Sequence, residues 1–103
     1  MKAYIITYFG GDHPDSPEEG QRHFAKYQQW LGSLGEHAVT PMQPYRDSHT
    51  IDADGNASTG SRATISGHTV VQAPSIEEAI DIARGCPFLE INGTLEVAEL
   101  VRN

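Results

Sequence analysis

The stretch from Ser66 to Val101 constrains the fold more than any other part of the chain. Its first and last parts are rich in β-forming side chains, while residues 75–85 between them carry the signals of a helix. An Asn92-Gly93 turn signal leads into the last part. The stretch therefore predicts a strand-helix-strand unit, which says much about the fold and little about a reaction.

The start and the stop of this helix are both encoded locally. Ser75 can cap the amides of the first turn, and Glu78 three residues later completes a capping box. Gly85 can adopt the left-handed conformation that ends a helix, and Pro87 prevents its continuation. Its apolar stripe, at helical spacing, consists of Ile76, Ala79, Ile80 and Ala83.

The first predicted strand, from Ala3 to Phe9, is apolar on both of its alternating faces. Two helices in so small a domain cover one face of a sheet, which leaves the other face in need of a partner. The sequence therefore predicts a homodimer packed sheet to sheet.

Another helix, the first in chain order, is predicted after the loop at residues 10–15. Ser16 is its cap, Pro17 its first residue, Glu19 completes a capping box and Gly35 ends it. Its predicted stripe, with Gly20 in the same sector and Trp30 on the flank, consists of Phe24, Tyr27, Leu31 and Leu34.

The middle of the chain supplies the remaining strands. Residues 39–42 begin a strand that Pro41 and Pro44 confine to an edge or break with a bulge, and residues 52–62 read as a mobile hairpin loop. The predicted order is βαββαβ. This is the ferredoxin-like split arrangement of the α+β class, with helices on one face of an antiparallel sheet.

Length and charge restrict the partners. The 103 residues fit one domain, and a net charge of −7 disfavours nucleic acid and anionic membranes as partners. The single Cys86 cannot form an intramolecular disulfide, and the start of the chain lacks the apolar length of a signal peptide. A cytoplasmic setting is therefore expected.

Several chemistries lack their signature. The sequence contains no Gly-x-Ser-x-Gly elbow, phosphate loop or dinucleotide fingerprint, so hydrolase, kinase and Rossmann functions are disfavoured and no cofactor is expected. No zinc or calcium spacing is present, and no metal site is predicted. Metal sites are defined by geometry, so convergence in space is left open for the five histidines, His13, His23, His37, His49 and His68.

His23 is the strongest candidate for chemistry. It falls at the edge of the predicted apolar stripe, near Tyr27 and Trp30, where it could reach a cleft between helix and sheet and act as a general acid or base. The alternative is a histidine that only packs and meets water, because the sequence does not reveal the neighbours that would tune its pKa.

Three further residues are candidates for ligand binding. His13 and Asp15 precede the first helix and could bind a ligand near its amino terminus, or could simply form a turn. His68 begins a strand and either lines the cleft or packs on the sheet. Cys86 follows a helix end, where thiolate formation is not favoured, so a nucleophilic role is not expected.

Several segments together resemble the YCII-related (DGPF) family over nearly the whole chain. They are residues 13–20, residues 30–35, Ser66-Gly67-His68, residues 79–87 and residues 93–97. The resemblance implies a small dimeric α+β barrel, within a wider group that includes monooxygenases, isomerases, haem-dependent enzymes and ligand-sensing modules. The fold is thereby indicated and the reaction stays open.

The resemblance also bears on a catalytic pair. Some members of the family are thought to pair a histidine on the first helix with an aspartate that follows a Gly-Pro-Leu or Gly-Pro-Phe turn. In this chain His23 lies on the first helix, whereas the turn reads Thr40-Pro41-Met42 and Asp47 comes several residues later.

Two functions follow from these observations. The first is a dimeric accessory domain, without catalysis, that binds a small organic molecule in a cleft between sheet and helices. The second is a small-molecule enzyme of the lyase, isomerase or cofactor-free oxygenase type, with His23 as the proton shuttle. Convergent buried titratable groups would favour the enzyme, and an apolar or filled pocket the binding domain.

Overall fold

The computed structural model describes residues 1–101 of the chain. Its strands are β1 (Lys2–Gly10), β2 (Ala38–Pro44), β3 (His49–Ile51), β4 (Ala57–Thr59), β5 (Ile65–Ala73) and β6 (Gly93–Glu99). Its helices are α1 (Pro17–Ser33) and α2 (Ile76–Arg84), and two short 3₁₀ segments cover Gly35–His37 and Pro87–Ile91.

Four strands form the main sheet in the order β2-β5-β1-β6. All three pairings are antiparallel, and the register places Tyr4 opposite Val71 on one side and opposite Glu99 on the other. With β3 and β4 set aside in a separate hairpin, this order is that of a ferredoxin-like fold. The predicted fold class is confirmed.

The core lies on one face of this sheet, between the sheet and the two helices. Tyr4, Ile6 and Tyr8 of β1 point into it and are at most 2% exposed. The Tyr8 hydroxyl lies 2.5 Å from Thr69 Oγ1 on β5, so both buried hydroxyls are satisfied. The remaining members of the cluster are Tyr27, Trp30, Val71, Ala73, Ala79, Ala83, Cys86 and Phe88.

The opposite face of the sheet carries no helix. Ile5, Thr7 and Phe9 of β1 alternate with the buried side chains and are half-buried, as are His68 and Val70 of β5. A single chain thus buries one face of β1 fully and the other only in part. This matches the apolar character that the sequence shows on both faces of the strand.

Helix α1 begins as predicted but presents a different face to the core. Ser16 Oγ accepts a hydrogen bond from the Glu19 amide at 3.2 Å, whereas the Glu19 carboxylate reaches the amide of Asp15 instead of that of Ser16. Phe24, predicted in the buried stripe, is 57% exposed, while Tyr27 and Trp30 are buried. The prediction for Phe24 was wrong because α1 is turned so that Trp30, expected on the flank of the stripe, is buried and Phe24 at the other edge is exposed.

The glycines at the helix ends have different roles. Gly35 ends the helical region of α1 as predicted, and its φ of 55° is the left-handed conformation common at helix ends. Gly85 ends α2 with a φ of −86°, so the left-handed prediction was wrong there. A Cβ at Gly85 would lie 3.3 Å from Trp30 Nε1, and that indole nitrogen donates to the Ile82 carbonyl at 3.3 Å. The small residue at position 85 thus suits the close packing between α2 and the indole of α1.

The middle of the chain is more ordered than predicted. Strand β2 is an edge strand with two register irregularities, as its prolines indicate. Residues 52–62 do not form one long loop, because β4 pairs with β3 and Asp52 Oδ1 accepts the amides of Asp54 and Asn56 at 3.0 Å each. None of the helices within residues 1–101 has the length and apolarity of a membrane span.

The turn that begins β6 allows a stability test. A Cβ at Gly93 would overlap the Phe88 ring and lie 2.7 Å from the Phe88 carbonyl oxygen. We expect Gly93→Ala to lower the free energy of unfolding by about 2 kcal/mol, because the crowding involves rigid backbone. Urea denaturation followed by circular dichroism measures this change.

The matched control is Gly32→Ala in α1, where a Cβ meets nothing within 4 Å. It should leave stability unchanged or raise it by about 0.5 to 1 kcal/mol, since alanine is the better helix former. Equal stability of the two variants would contradict the packing described for Gly93.

Candidate functional site

A cleft of about 840 Å³ opens between the first half of α1, the loop that joins β1 to α1, and the 3₁₀ segment Pro87–Ile91. Its floor is largely apolar and its rim is charged. The lining residues are Asp12, His13, Pro14, Asp15, Glu19, Gly20, Arg22, His23, Phe24, Lys26, Tyr27, Met42, Glu90 and Ile91.

The loop wall of the cleft is fastened to the end of the 3₁₀ segment. The Asp12 amide donates to the Ile91 carbonyl at 2.8 Å, and Asn92 Nδ2 donates to Asp12 Oδ2 at 2.6 Å. Gly11 has a φ of 88° and would collide with Phe88 if it carried a side chain. These contacts hold two segments together that are some 80 residues apart in the chain.

Tyr27 lies at the cleft floor, 4% exposed, and connects the cleft to the core. Its ring stacks on Tyr8 with centroids 6.1 Å apart, and Tyr8 in turn lies 4.8 Å from the Phe88 ring. Burial raises the pKa of both tyrosine hydroxyls far above the ordinary value. Burial likewise raises the pKa of the Cys86 thiol, which places a neutral thiol in the core, 3.5 Å from the Tyr8 hydroxyl.

His23 stands over this floor, one helical turn before Tyr27. The two rings meet edge to face, with centroids 4.7 Å apart and an interplanar angle of 87°. His23 Nε2 is wholly covered, and no group within residues 1–101 forms a hydrogen bond with it. Leaving a buried ring nitrogen without a partner costs free energy, which makes this atom a candidate binding group once a movement of the ring exposes it to the cleft.

The environment of His23 favours the neutral imidazole. Burial lowers its pKa, the positive charge of Lys26 lowers it further, and the carboxylate of Glu90 partly opposes both effects. A neutral imidazole has one nitrogen that donates and one that accepts a hydrogen bond. The group can therefore bind a hydroxyl or accept a proton near neutral pH.

The charges at the rim are unequal. Four carboxylates, from Asp12, Asp15, Glu19 and Glu90, line the cleft together with the cations of Arg22 and Lys26. Lys26 Nζ lies 3.3 Å from Glu90 Oε1, so this ion pair joins α1 to the 3₁₀ segment beside His23.

The structure brings together some of the predicted site residues and separates others. His13, Asp15, His23 and Tyr27 all line the cleft. Trp30 lies in the core at the contact with α2, outside the cleft.

His68 is on the helix-free face of the sheet, where its Nδ1 is 2.6 Å from the Tyr45 hydroxyl. Alternation along β5 turns the His68 side chain away from the helices, so it cannot shape the same pocket as His23. Asp47, which the family pattern would pair with a histidine, is not among the residues that line the cleft.

Sequence reasoning missed the residues that the 3₁₀ segment contributes, Glu90 and Ile91. Pro87 and the Asn92-Gly93 turn indicated a short irregular segment, but only the folded chain reveals that it packs beside α1. Met42 of β2 also reaches the cleft. Within the described part of the chain, no three His, Cys, Asp or Glu side chains lie close enough to hold a metal ion.

Comparison with known proteins adds a family and a fold. The family model of the YCII-related domain matches residues 1–102. No curated protein has a significant sequence match.

Among solved structures, the chain is similar to 5-chloro-2-hydroxyhydroquinone dehydrochlorinase from Burkholderia phenoliruptrix in complex with 2,5-dihydroxybenzoquinone. The TM-score is 0.60 at 16% sequence identity, over 98% of this chain and 95% of the other. At this identity the likeness establishes the shared fold.

The lowered pKa of His23 predicts a pH dependence of stability. The folded chain has a His23 pKa below the ordinary value of 6.5, so the unfolded chain binds that proton more tightly. The contribution of His23 to stability is therefore complete above pH 6.5 and declines as the pH falls below it toward the folded pKa. Urea denaturation between pH 5 and pH 8 should reveal a smaller decline for His23→Gln than for the wild-type protein.

NMR titration of the imidazole checks the same statement directly. A His23 pKa at or above 6.5 in the folded protein, or equal pH dependence of stability in both proteins, would contradict the environment described here.

Proposed function

Because the chain belongs to the family of YCII-related domains, we propose that it binds a small organic molecule in the cleft beside α1. The observation that carries this proposal is the covered and unpartnered Nε2 of His23 in a cleft of about 840 Å³. A volume of this size suits a small organic ligand, and apolar walls with a few polar groups are typical of such sites. On this reading the domain is an accessory, ligand-binding one.

The charge of the rim favours a neutral ligand. Carboxylates outnumber cations there, and an anion would also meet the overall negative charge of the protein. A planar ring with hydroxyl groups would pack against Tyr27 and Met42 and exchange a hydrogen bond with His23. The structurally similar dehydrochlorinase is described in complex with 2,5-dihydroxybenzoquinone, which shares the planar hydroxylated ring but not the neutral charge, because its hydroxyls are acidic.

A specific observation also favours a second function, acid–base catalysis by His23. The imidazole is held neutral by burial in a cleft, which is the state required of a general base. The similar solved structure is that of an enzyme. Catalysis would need a ligand proton within hydrogen-bond reach of the ring, and a lyase, an isomerase and a cofactor-free oxygenase all use such a step.

We further propose that the chain acts as a homodimer in the cytoplasm. Support comes from the helix-free face of the sheet, where Ile5, Phe9 and Val70 are only half-buried in the single chain. Packing two such faces together would remove this apolar surface from water. A negatively charged chain with one cysteine suits a reducing compartment.

A ligand screen tests the binding proposal. We expect hydroquinone, catechol or a related neutral phenol to raise the melting temperature of the wild-type protein but not that of His23→Ala, because the ring nitrogen is its main polar partner. Thermal-shift measurements at millimolar ligand provide the comparison. The matched control is His49→Ala on β3, an exposed histidine that does not line the cleft, and it should respond like the wild type.

Equal shifts for the wild type and His23→Ala would remove His23 from the site, and the absence of any shift would remove this ligand class. Compounds that bind are then followed by chromatography. Conversion by the wild type and not by His23→Gln would establish the enzymatic alternative, whereas an unchanged compound after prolonged incubation would leave the binding function.

The homodimer has its own test. Sedimentation at about 10 μM should give twice the 11.2 kDa mass of one chain. Val70→Asp on the helix-free face should give monomers, because a charge there would have to be buried at the interface. Ala25→Asp, on the exposed surface of α1, should remain dimeric. A wild-type protein that sediments as a monomer would refute the proposed dimer.

A further inference from the structure

The ion pair of Lys26 and Glu90 links the two walls of the cleft. Lys26 Nζ and Glu90 Oε1 are 3.3 Å apart, and both residues line the cleft from opposite walls. The side chains are 53% and 56% exposed, so the pair lies at the mouth of the cleft and not in its floor. The contact therefore adds little to folding stability, because exposed ion pairs are weak.

The Lys26–Glu90 pair affects the binding of a charged ligand more than it affects folding stability. A carboxylate on a ligand would seek a cation at the mouth, and Lys26 already has a carboxylate partner. The Lys26 ammonium has three donors and is half-exposed, so such a ligand can reach it beside Glu90, but its carboxylate then lies close to the Glu90 carboxylate. The net electrostatic gain is then close to zero or unfavourable.

The other charges around the mouth of the cleft also disfavour an anionic ligand. The loop wall contributes Asp12 and Asp15, and α1 contributes Glu19. Arg22 is the second cation that lines the cleft, one helical turn before Lys26. With Lys26 neutralised by Glu90, the carboxylates of the loop and α1 outnumber the remaining cation.

We propose that Glu90 is a specificity-determining residue of the cleft, which weakens the binding of ligands with a carboxylate by neutralising Lys26. This inference rests on the proposed binding function and adds the basis on which the site discriminates between ligands. A neutral hydroxylated ring meets no such competition, because it needs His23 and the apolar floor and does not need Lys26.

Two probes that differ only in one carboxylate test the proposal, namely hydroquinone and 2,5-dihydroxybenzoate. Binding to the wild type, Glu90→Gln, Lys26→Gln and the double variant is measured by NMR titration of the cleft resonances at low salt. We expect Glu90→Gln to bind 2,5-dihydroxybenzoate about 3- to 10-fold more tightly than the wild type, with hydroquinone unchanged within about 2-fold. The gain should disappear in 1 M salt, where charges are screened.

The control variants separate local from general charge effects. Glu77→Gln removes one charge from the exposed first turn of α2, outside the cleft, and should not alter either affinity. The double variant should lose the gain, since the freed cation is Lys26. Melting curves check that each variant is folded.

Each outcome has a distinct meaning. If hydroquinone binds but Glu90→Gln does not improve binding of 2,5-dihydroxybenzoate, the inference fails and the binding function stands. A gain that persists in the double variant also overturns it, because the effect then comes from charge removal alone. If neither probe binds any variant, the proposed ligand class and this inference fail together.

Discussion

The side chain of Tyr8 is the contact on which the architecture depends. Its hydroxyl lies 2.5 Å from Thr69 Oγ1, which ties the two central strands together inside the core. Its ring stacks on Tyr27 of α1 and contacts Phe88 of the 3₁₀ segment. One aromatic residue thus joins sheet, helix and 3₁₀ segment. Because all three segments contribute to the cleft, the packing around this ring also sets the shape of the binding site.

One wall of the cleft is the regular helix α1, and the other is formed by a loop and a short 3₁₀ segment. Helix α1 places His23 and Lys26 one turn apart, but the opposite wall depends on Pro87–Ile91 and on the loop that is bound to it through Asp12 and Asn92. Within this wall Asp12 is already bonded to Ile91 and Asn92, and Glu90 is paired with Lys26. His23 Nε2 stands out because it is covered and lacks a partner among residues 1–101.

Local signals predicted the fold well. Ser16 and Ser75 cap their helices as expected, and the prolines of β2 correctly indicated an irregular edge strand. These features could be predicted because each depends on a few neighbouring residues. The predictions failed where packing between elements decides the outcome: Gly85 keeps a right-handed backbone and lies against the indole of Trp30, and the orientation of α1 exposes Phe24.

The candidate site was less predictable than the fold for the same reason. His23 and Tyr27 were found because they lie one turn apart on one helix, whereas Glu90 joins them from a segment more than 60 residues away. His68 was placed with them although its strand turns it to the other face. Periodicity identifies the face of an element, but tertiary packing decides which faces meet.

The separation of His23 and His68 by the sheet has a consequence for how this chain can change during evolution. Along β1 and β5, neighbouring side chains point to opposite faces of the sheet. One face packs against the helices, and the other carries no helix. Substitutions at alternate positions can therefore be selected almost independently. New ligand preferences can therefore arise on the helix side of the sheet while the surface on the helix-free side stays unchanged.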